Sequence, residues 1–125
     1  MNKLLWFTSW ASLVSSGHAY YKGYYDFHFI DGFVWLTSIN YWRNPQKGIW
    51  RNLDIISVYY ALGYHLIRAR NAEKSVLFYS VISSSCILYP LSIYYRNYPV
   101  STYLHGGLHI GANVALNILY SGNVY

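Results

Sequence analysis

Apolar and polar positions alternate along this chain in long blocks. Residues 75–95 run for 21 positions without an Asp, Glu, Lys, Arg or His, between Lys74 and Arg96. About 20 mainly apolar residues, at 1.5 Å rise each, cross the hydrocarbon core of a bilayer. No Asp, Glu, Lys or Arg follows Arg96, and positions 4–21 also lack all four. Periodicity and breakers predict five helices, at about 3–17, 25–42, 52–69, 75–95 and 101–120. Gly23 precedes the second, Asn44-Pro45 with Gly48 closes it, Asn71 marks the third loop, and Asn97 with Pro99 the fourth. Asn52 reads as the N-cap of the third helix, with Asp54 in its first turn favoured by the helix dipole. Pro90 should kink the fourth.

The expected fold class is therefore all-α: a small multi-pass transmembrane helical bundle, one integral membrane domain over 1–125. It has five helices, or four if the N-terminal segment is a signal peptide. Met1-Asn2-Lys3, the stretch LLWFTSWASLV and the small residues around His18 resemble such a peptide. Thr8, Ser9 and Ser12 interrupt the apolar stretch, and we read it as a short first helix that stays.

Composition agrees. Charged residues make up 10% of the chain, against about 25% in soluble domains. Aromatics reach 21%, as expected of a short bundle with two interfacial aromatic belts, and 16 Tyr hold the mean hydropathy to +0.14. The net charge of +5 does not indicate nucleic acid, because the cations sit in short groups such as Arg43, Lys47, Arg51 and Arg68, Arg70, Lys74. Expected partners are membrane lipids, including anionic head groups, and other membrane subunits or a second copy. Lys3, Arg43, Lys47, Arg51 and Arg96 fall on one side, and Lys22, Arg68, Arg70 and Lys74 on the other, which gives no usable positive-inside bias. The single Cys86 excludes an internal disulfide and reads as a small buried residue.

Ionisable groups inside membrane helices are costly and tend to mark sites. His28, Asp31, Trp35, Ser38 and Trp42 share one stripe of the second helix; Asp54, Ala61, His65 and Arg68 share one of the third. His105, His109, Asn113 and Asn117 recur every four residues in the last, among Gly106, Gly107 and Gly111, which invite close helix approach. Up-down connectivity puts Ser38, Asp54, His105 and His109 at one depth. His18, His28, Asp31 and His65 form a second polar cluster toward the opposite face. The bland expectations are that Asp54 pairs with Arg51 or Arg43, that His28 pairs with Asp31, that the two late histidines bond across helices, and that Ser83–Ser85 pack as small residues.

His105 and His109 also have the one-turn spacing that lets two imidazoles bind one zinc ion. Asp54 is then the candidate group to take a proton from zinc-bound water, and Ser38 to hold that water or a substrate carbonyl.

Ser38 late in one helix, Asp54 early in the next and HxxxH in the last resemble the CREST superfamily, which includes alkaline ceramidases and adiponectin-receptor-like proteins. That resemblance implies a helical membrane bundle with zinc held by three histidines, and hydrolysis of a lipid amide or ester. This chain reads Ser38-Ile-Asn-Tyr-Trp42 where the family has SxxxH, so Trp42 stands in place of the third histidine.

Three functions follow as expectations. The first is a structural or complex-forming membrane component, the second a CREST-like zinc-dependent lipid hydrolase, and the third a small channel or carrier using the polar stripes.

Overall fold

The computed structural model describes residues 2–97 and 99–125. It contains α1 (Lys3–Ser9), α2 (Ala11–Tyr21), α3 (Tyr25–Arg43), α4 (Ile49–Arg68), α5 (Ser75–Cys86), α6 (Leu88–Tyr94) and α7 (Val100–Ser121). A 3-10 turn at Ala69–Asn71 follows α4, and no strand occurs among the described residues. α1 with α2, and α5 with α6, are each one interrupted rod, so the five expected helices are present.

Both interruptions have local causes. Thr8 Oγ1 and Ser9 Oγ both donate back to Leu5 O, at 3.3 and 2.6 Å, a competition that bends helices. Trp10 N then bonds Phe7 O, three residues back, and the rod breaks there. In the fourth rod Pro90 has no N–H to give Cys86 O, and its ring crowds that carbonyl. The break falls at Ile87, between Cys86 and Leu88, which is the kink expected from Pro90.

The loops also explain the boundaries. α2 ends in a Schellman turn: Gly23 has φ +82°, with Tyr24 N bonded to Ala19 O and Gly23 N to Tyr20 O. The third helix starts a turn earlier than expected. Ile49 is its first residue, and Asn52, expected as the cap, lies inside it with its N–H on Gly48 O. Asp54 is consequently beyond the first turn, where the dipole matters little, and its side chain is free to reach α3.

The α1–α2 rod packs against both α3 and α7, α4 packs on α3, and α5–α6 packs on α7. The row curls at one end, where Tyr79 of α5 donates to Leu66 O of α4 at 2.5 Å. Apolar burial concentrates at that end, in Ala19, Phe27, Ala69, Ala72, Phe78, Ile82, Ala115, Leu119 and Tyr120. Gly111 brings α7 close to α5, since a Cβ there would meet Ser85 Oγ and its Cβ at 3.0 Å. Ser85 is thus the member of the serine run that packs, while Ser83 and Ser84 are exposed.

Many polar side chains lie inside the bundle and many large apolar ones on its surface. Among the described residues, fourteen polar or charged side chains are buried, against thirty large apolar ones that are exposed. The rod Ser75–Tyr94 is long and apolar enough to cross a bilayer, and 22% of its apolar window is buried in the fold. It alone among the described helices meets that test of length and apolarity; the others carry the polar stripes.

Candidate functional site

A polar ladder runs between the α1–α2 rod and α7. Thr8 Oγ1 meets His109 Nδ1 at 2.9 Å, Ser15 Oγ donates to Asn113 Oδ1 at 2.7 Å, and His18 Nδ1 donates to Asn117 Oδ1 at 2.8 Å. Asn117 Nδ2 in turn donates to Ser15 Oγ at 3.2 Å and to Asn113 O at 2.7 Å. Residues 8, 12, 15 and 18 fall on one face of the first rod, so Thr8 and Ser12 are part of a stripe and not merely breaks in an apolar run. This confirms cross-helix bonding for His109, with Thr8 as partner.

At the apolar end lies a closed triad. Asp31 of α3, His65 of α4 and Tyr120 of α7 are 2%, 2% and 0% exposed. Tyr120 OH donates to Asp31 Oδ2 at 2.5 Å and stands 2.7 Å from His65 Nε2, while Asp31 Oδ1 is 3.2 Å from that same nitrogen. His65 Nδ1 lies 2.6 Å from Ala61 O; a carbonyl only accepts, so that nitrogen carries hydrogen. His65 Nε2 thus faces both Asp31 Oδ1 and the Tyr120 hydroxyl. Phe27 stacks on His65 with centroids 4.7 Å apart and seals one side of the triad.

The second expected cluster is thus partly assembled. Asp31 and His65 meet, and His18 touches the group edge-on through Tyr120 at 5.8 Å. His28 does not pair with Asp31; its Nδ1 lies 2.8 Å from Ser16 Oγ, which also reaches His28 O. One turn of α3 separates the two side chains, and each finds a partner on a different neighbour. Tyr120, the member that sequence reading missed, continues the α7 stripe three residues beyond Asn117. Among 16 Tyr its only distinguishing signal was that register.

At the other end are two pairs. Ser38 Oγ donates to Asp54 Oδ1 at 2.5 Å, with Thr37 Oγ1 at 3.4 Å from the same oxygen and 2.9 Å from Ser57 Oγ. Asp54 therefore bonds to the hydroxyls of α3, not to Arg51 or Arg43 as expected from proximity in sequence, because burial turns it inward. Ser38 and Asp54, expected at one depth, are in direct contact. Thr37 and Ser57 were missed; both are i±1 or i+3 neighbours of the pair and carry no other signal.

His105 and His109 stand beside one another, ring centroids 4.9 Å apart, and Trp42 packs on both, at 5.3 and 6.4 Å. No hydrogen bond joins them to the Ser38–Asp54 pair among the described residues. Nor does any group of three His, Cys, Asp or Glu converge in metal-binding geometry among those residues. The indole N–H groups of Trp10, Trp35 and Trp42 are buried without a hydrogen-bond acceptor. All three indoles make edge-to-face ring contacts: Trp10 with Trp35 at 5.3 Å, and Trp42 with His105.

No protein-family model, characterised protein or solved structure matches the chain.

Proposed function

We propose that this chain is a small polytopic integral membrane protein acting as a structural or complex-forming component of the bilayer. The polar interior and apolar surface of the bundle support this reading: fourteen polar side chains are buried and thirty large apolar ones exposed among the described residues. In water such a surface would aggregate, whereas lipid tails solvate it and drive polar groups to satisfy one another inside. The ladder, the triad and the Ser38–Asp54 network do that. The interior hydroxyls and carboxylates serve as donors and acceptors between helices, the role expected of polar residues that hold a bundle together. The test is fractionation of the full chain after expression, with alkaline carbonate and then detergent. Retention in the carbonate pellet and release by detergent support the proposal; release by carbonate alone contradicts it.

A second reading is a CREST-like arrangement. Two observations favour it: the Ser38–Asp54 bond and the placement of Trp42 against both HxxxH imidazoles, where that family's pattern puts a third histidine. The residues present do not fit the zinc such an enzyme holds. The Trp42 indole cannot ligate, so only two imidazoles, His105 and His109, face that corner, and Asp54 is held by Ser38. Metal content of the purified chain, compared with His105→Ala/His109→Ala, separates the readings. Near-stoichiometric zinc lost in the double variant would make the hydrolase the leading one.

A further inference from the structure

The two ends of the bundle differ in charge. Lys3, Arg43, Lys47, Arg51 and Arg96 gather where α1, α4 and α7 begin and α3 and α6 end, with Asp54 the one carboxylate at that level. Asn2 N donating to Trp42 O at 3.1 Å, and Ser101 Oγ to Ser92 O at 2.8 Å, tie these termini together. The opposite end carries Lys22, Arg68, Arg70 and Lys74 against Asp26, Asp31 and Glu73. Five cations to one carboxylate leave net +4 at the first end, and four to three leave +1 at the second, together the chain's +5. Asp54 faces inward to Ser38, and none of the five cations around it forms an ion pair among the described residues. At the other end Arg68 pairs with Asp26 at 3.0 Å.

One of the five cations borders a cleft. Tyr89, Ser92, Ile93, Arg96, Ser101 and His105 line a space of about 440 Å³ between the end of α6 and the start of α7. No carboxylate lines it among the described residues. The Ser92 and Ser101 hydroxyls are spent on the carbonyls of Tyr89 and Ser92, which leaves the Arg96 guanidinium, the His105 imidazole and the Tyr89 phenol as the polar side-chain groups lining it. Tyr89 and Ile93 continue the cleft onto the exposed apolar side of α6. A cationic mouth above an apolar wall suits a molecule with a phosphate at one end and hydrocarbon at the other, and a guanidinium matches phosphate oxygens two at a time.

We propose that the α6–α7 cleft binds the phosphate group of an anionic phospholipid, with Arg96 supplying charge, His105 a hydrogen bond, and Tyr89 and Ile93 the wall for an acyl chain. This rests on the bilayer placement proposed above, and the flanking Lys3, Arg43, Lys47 and Arg51 give the same end its general attraction for an anionic leaflet.

The full chain, already checked for carbonate resistance, is titrated in detergent with dioleoylphosphatidylglycerol and with dioleoylphosphatidylcholine, and bound lipid is counted by native mass spectrometry. The glycerol lipid should be retained over the choline lipid. Arg96→Gln should weaken it about five-fold, the factor that corresponds to one interfacial cation, while Lys22→Gln at the other end leaves it unchanged. A parallel titration with millimolar inorganic phosphate should fail to displace the lipid; displacement would assign the cleft to a free phosphate compound and overturn the lipid assignment. Equal retention of the two lipids, or an unaffected Arg96→Gln, overturns the proposal while leaving membrane residence intact. Loss of the chain to the carbonate wash would instead overturn the bilayer placement itself.

Discussion

The indole of Trp42 stands edge-on to the imidazole of His105, ring centroids 5.3 Å apart at 83°. It also touches His109 at 6.4 Å, so one aromatic side chain of α3 closes the corner that the two α7 histidines open. Two imidazoles on one tetrahedral zinc, with Zn–N near 2 Å, stand about 5 Å apart between centroids. The observed 4.9 Å between His105 and His109 is already of that size.

Trp42→His should therefore complete a three-histidine set and raise zinc affinity above that of the parent chain. Metal analysis and calorimetric titration of the folded variant check this. A folded Trp42→His protein with no gain in zinc affinity would contradict the placement of residue 42 at that corner.

The triad should dominate the polar energetics. Removing one partner of a buried Asp–His contact costs up to about 3–5 kcal/mol, because the other is left without compensation. Asp31→Ala is expected in that range and Tyr120→Phe at about 1–3 kcal/mol. The double variant should cost less than the two singles together, since both singles remove the Tyr120 OH–Asp31 Oδ2 bond. Reversible unfolding in detergent measures all three, and strict additivity would argue against a shared network.

The ladder bonds should each matter much less. Neutral interhelical bonds in membrane proteins average about 0.6 kcal/mol. Asn117→Ala removes bonds to His18, Ser15 and Asn113, and should cost about 1–2 kcal/mol, well short of Asp31→Ala. The ordering of those two variants, read from the same unfolding curves, is the checkable point.

Gly111→Ala should destabilise the α5–α7 contact by about 1–3 kcal/mol. Its new Cβ would press on Ser85 Oγ and on Ser85 Cβ at 3.0 Å, whereas the Ser85 backbone lies at 3.8 Å. Ser85→Gly should therefore rescue it. Equal stability of Gly111→Ala and parent would mean that the two helices are farther apart.

Ser38→Ala should cost more than Asp54→Asn. The first leaves a buried carboxylate with only the long Thr37 bond of 3.4 Å, whereas the second keeps an oxygen for Ser38 to donate to. The reverse order in thermal stability would contradict the assigned donor direction.

Much of this was legible before any coordinates. Five helices, the Pro90 break, close approach at Gly111 and the shared depth of Ser38 and Asp54 all follow from short-range spacing and connectivity, whereas the bond between those two replaces the expected pairing of Asp54 with Arg51 or Arg43. Less legible were features decided by which neighbour a stripe faces. His28 and Asp31 are one turn apart and were expected to pair, yet α2 takes one and α4 with α7 takes the other. Tyr120 lay hidden among residues expected at interfaces, and Thr8 and Ser12 looked like interruptions because their partners are about 100 positions away. Asn52 and Asp54 were placed one turn too early in α4, since helix starts are set by the loop as much as by the capping residue.

The most direct test of the bilayer placement is a spin-label scan on a Cys86→Ser background, with labels at Phe33, Val76 and Val114 on the exposed apolar surface and at Lys22 and Lys47 in the loops. The three surface sites should be accessible to oxygen and shielded from a water-soluble nickel chelate, with the loop sites showing the opposite pattern. Chelate access at Phe33, Val76 and Val114 equal to that at Lys47 would place that surface in water and contradict the central claim.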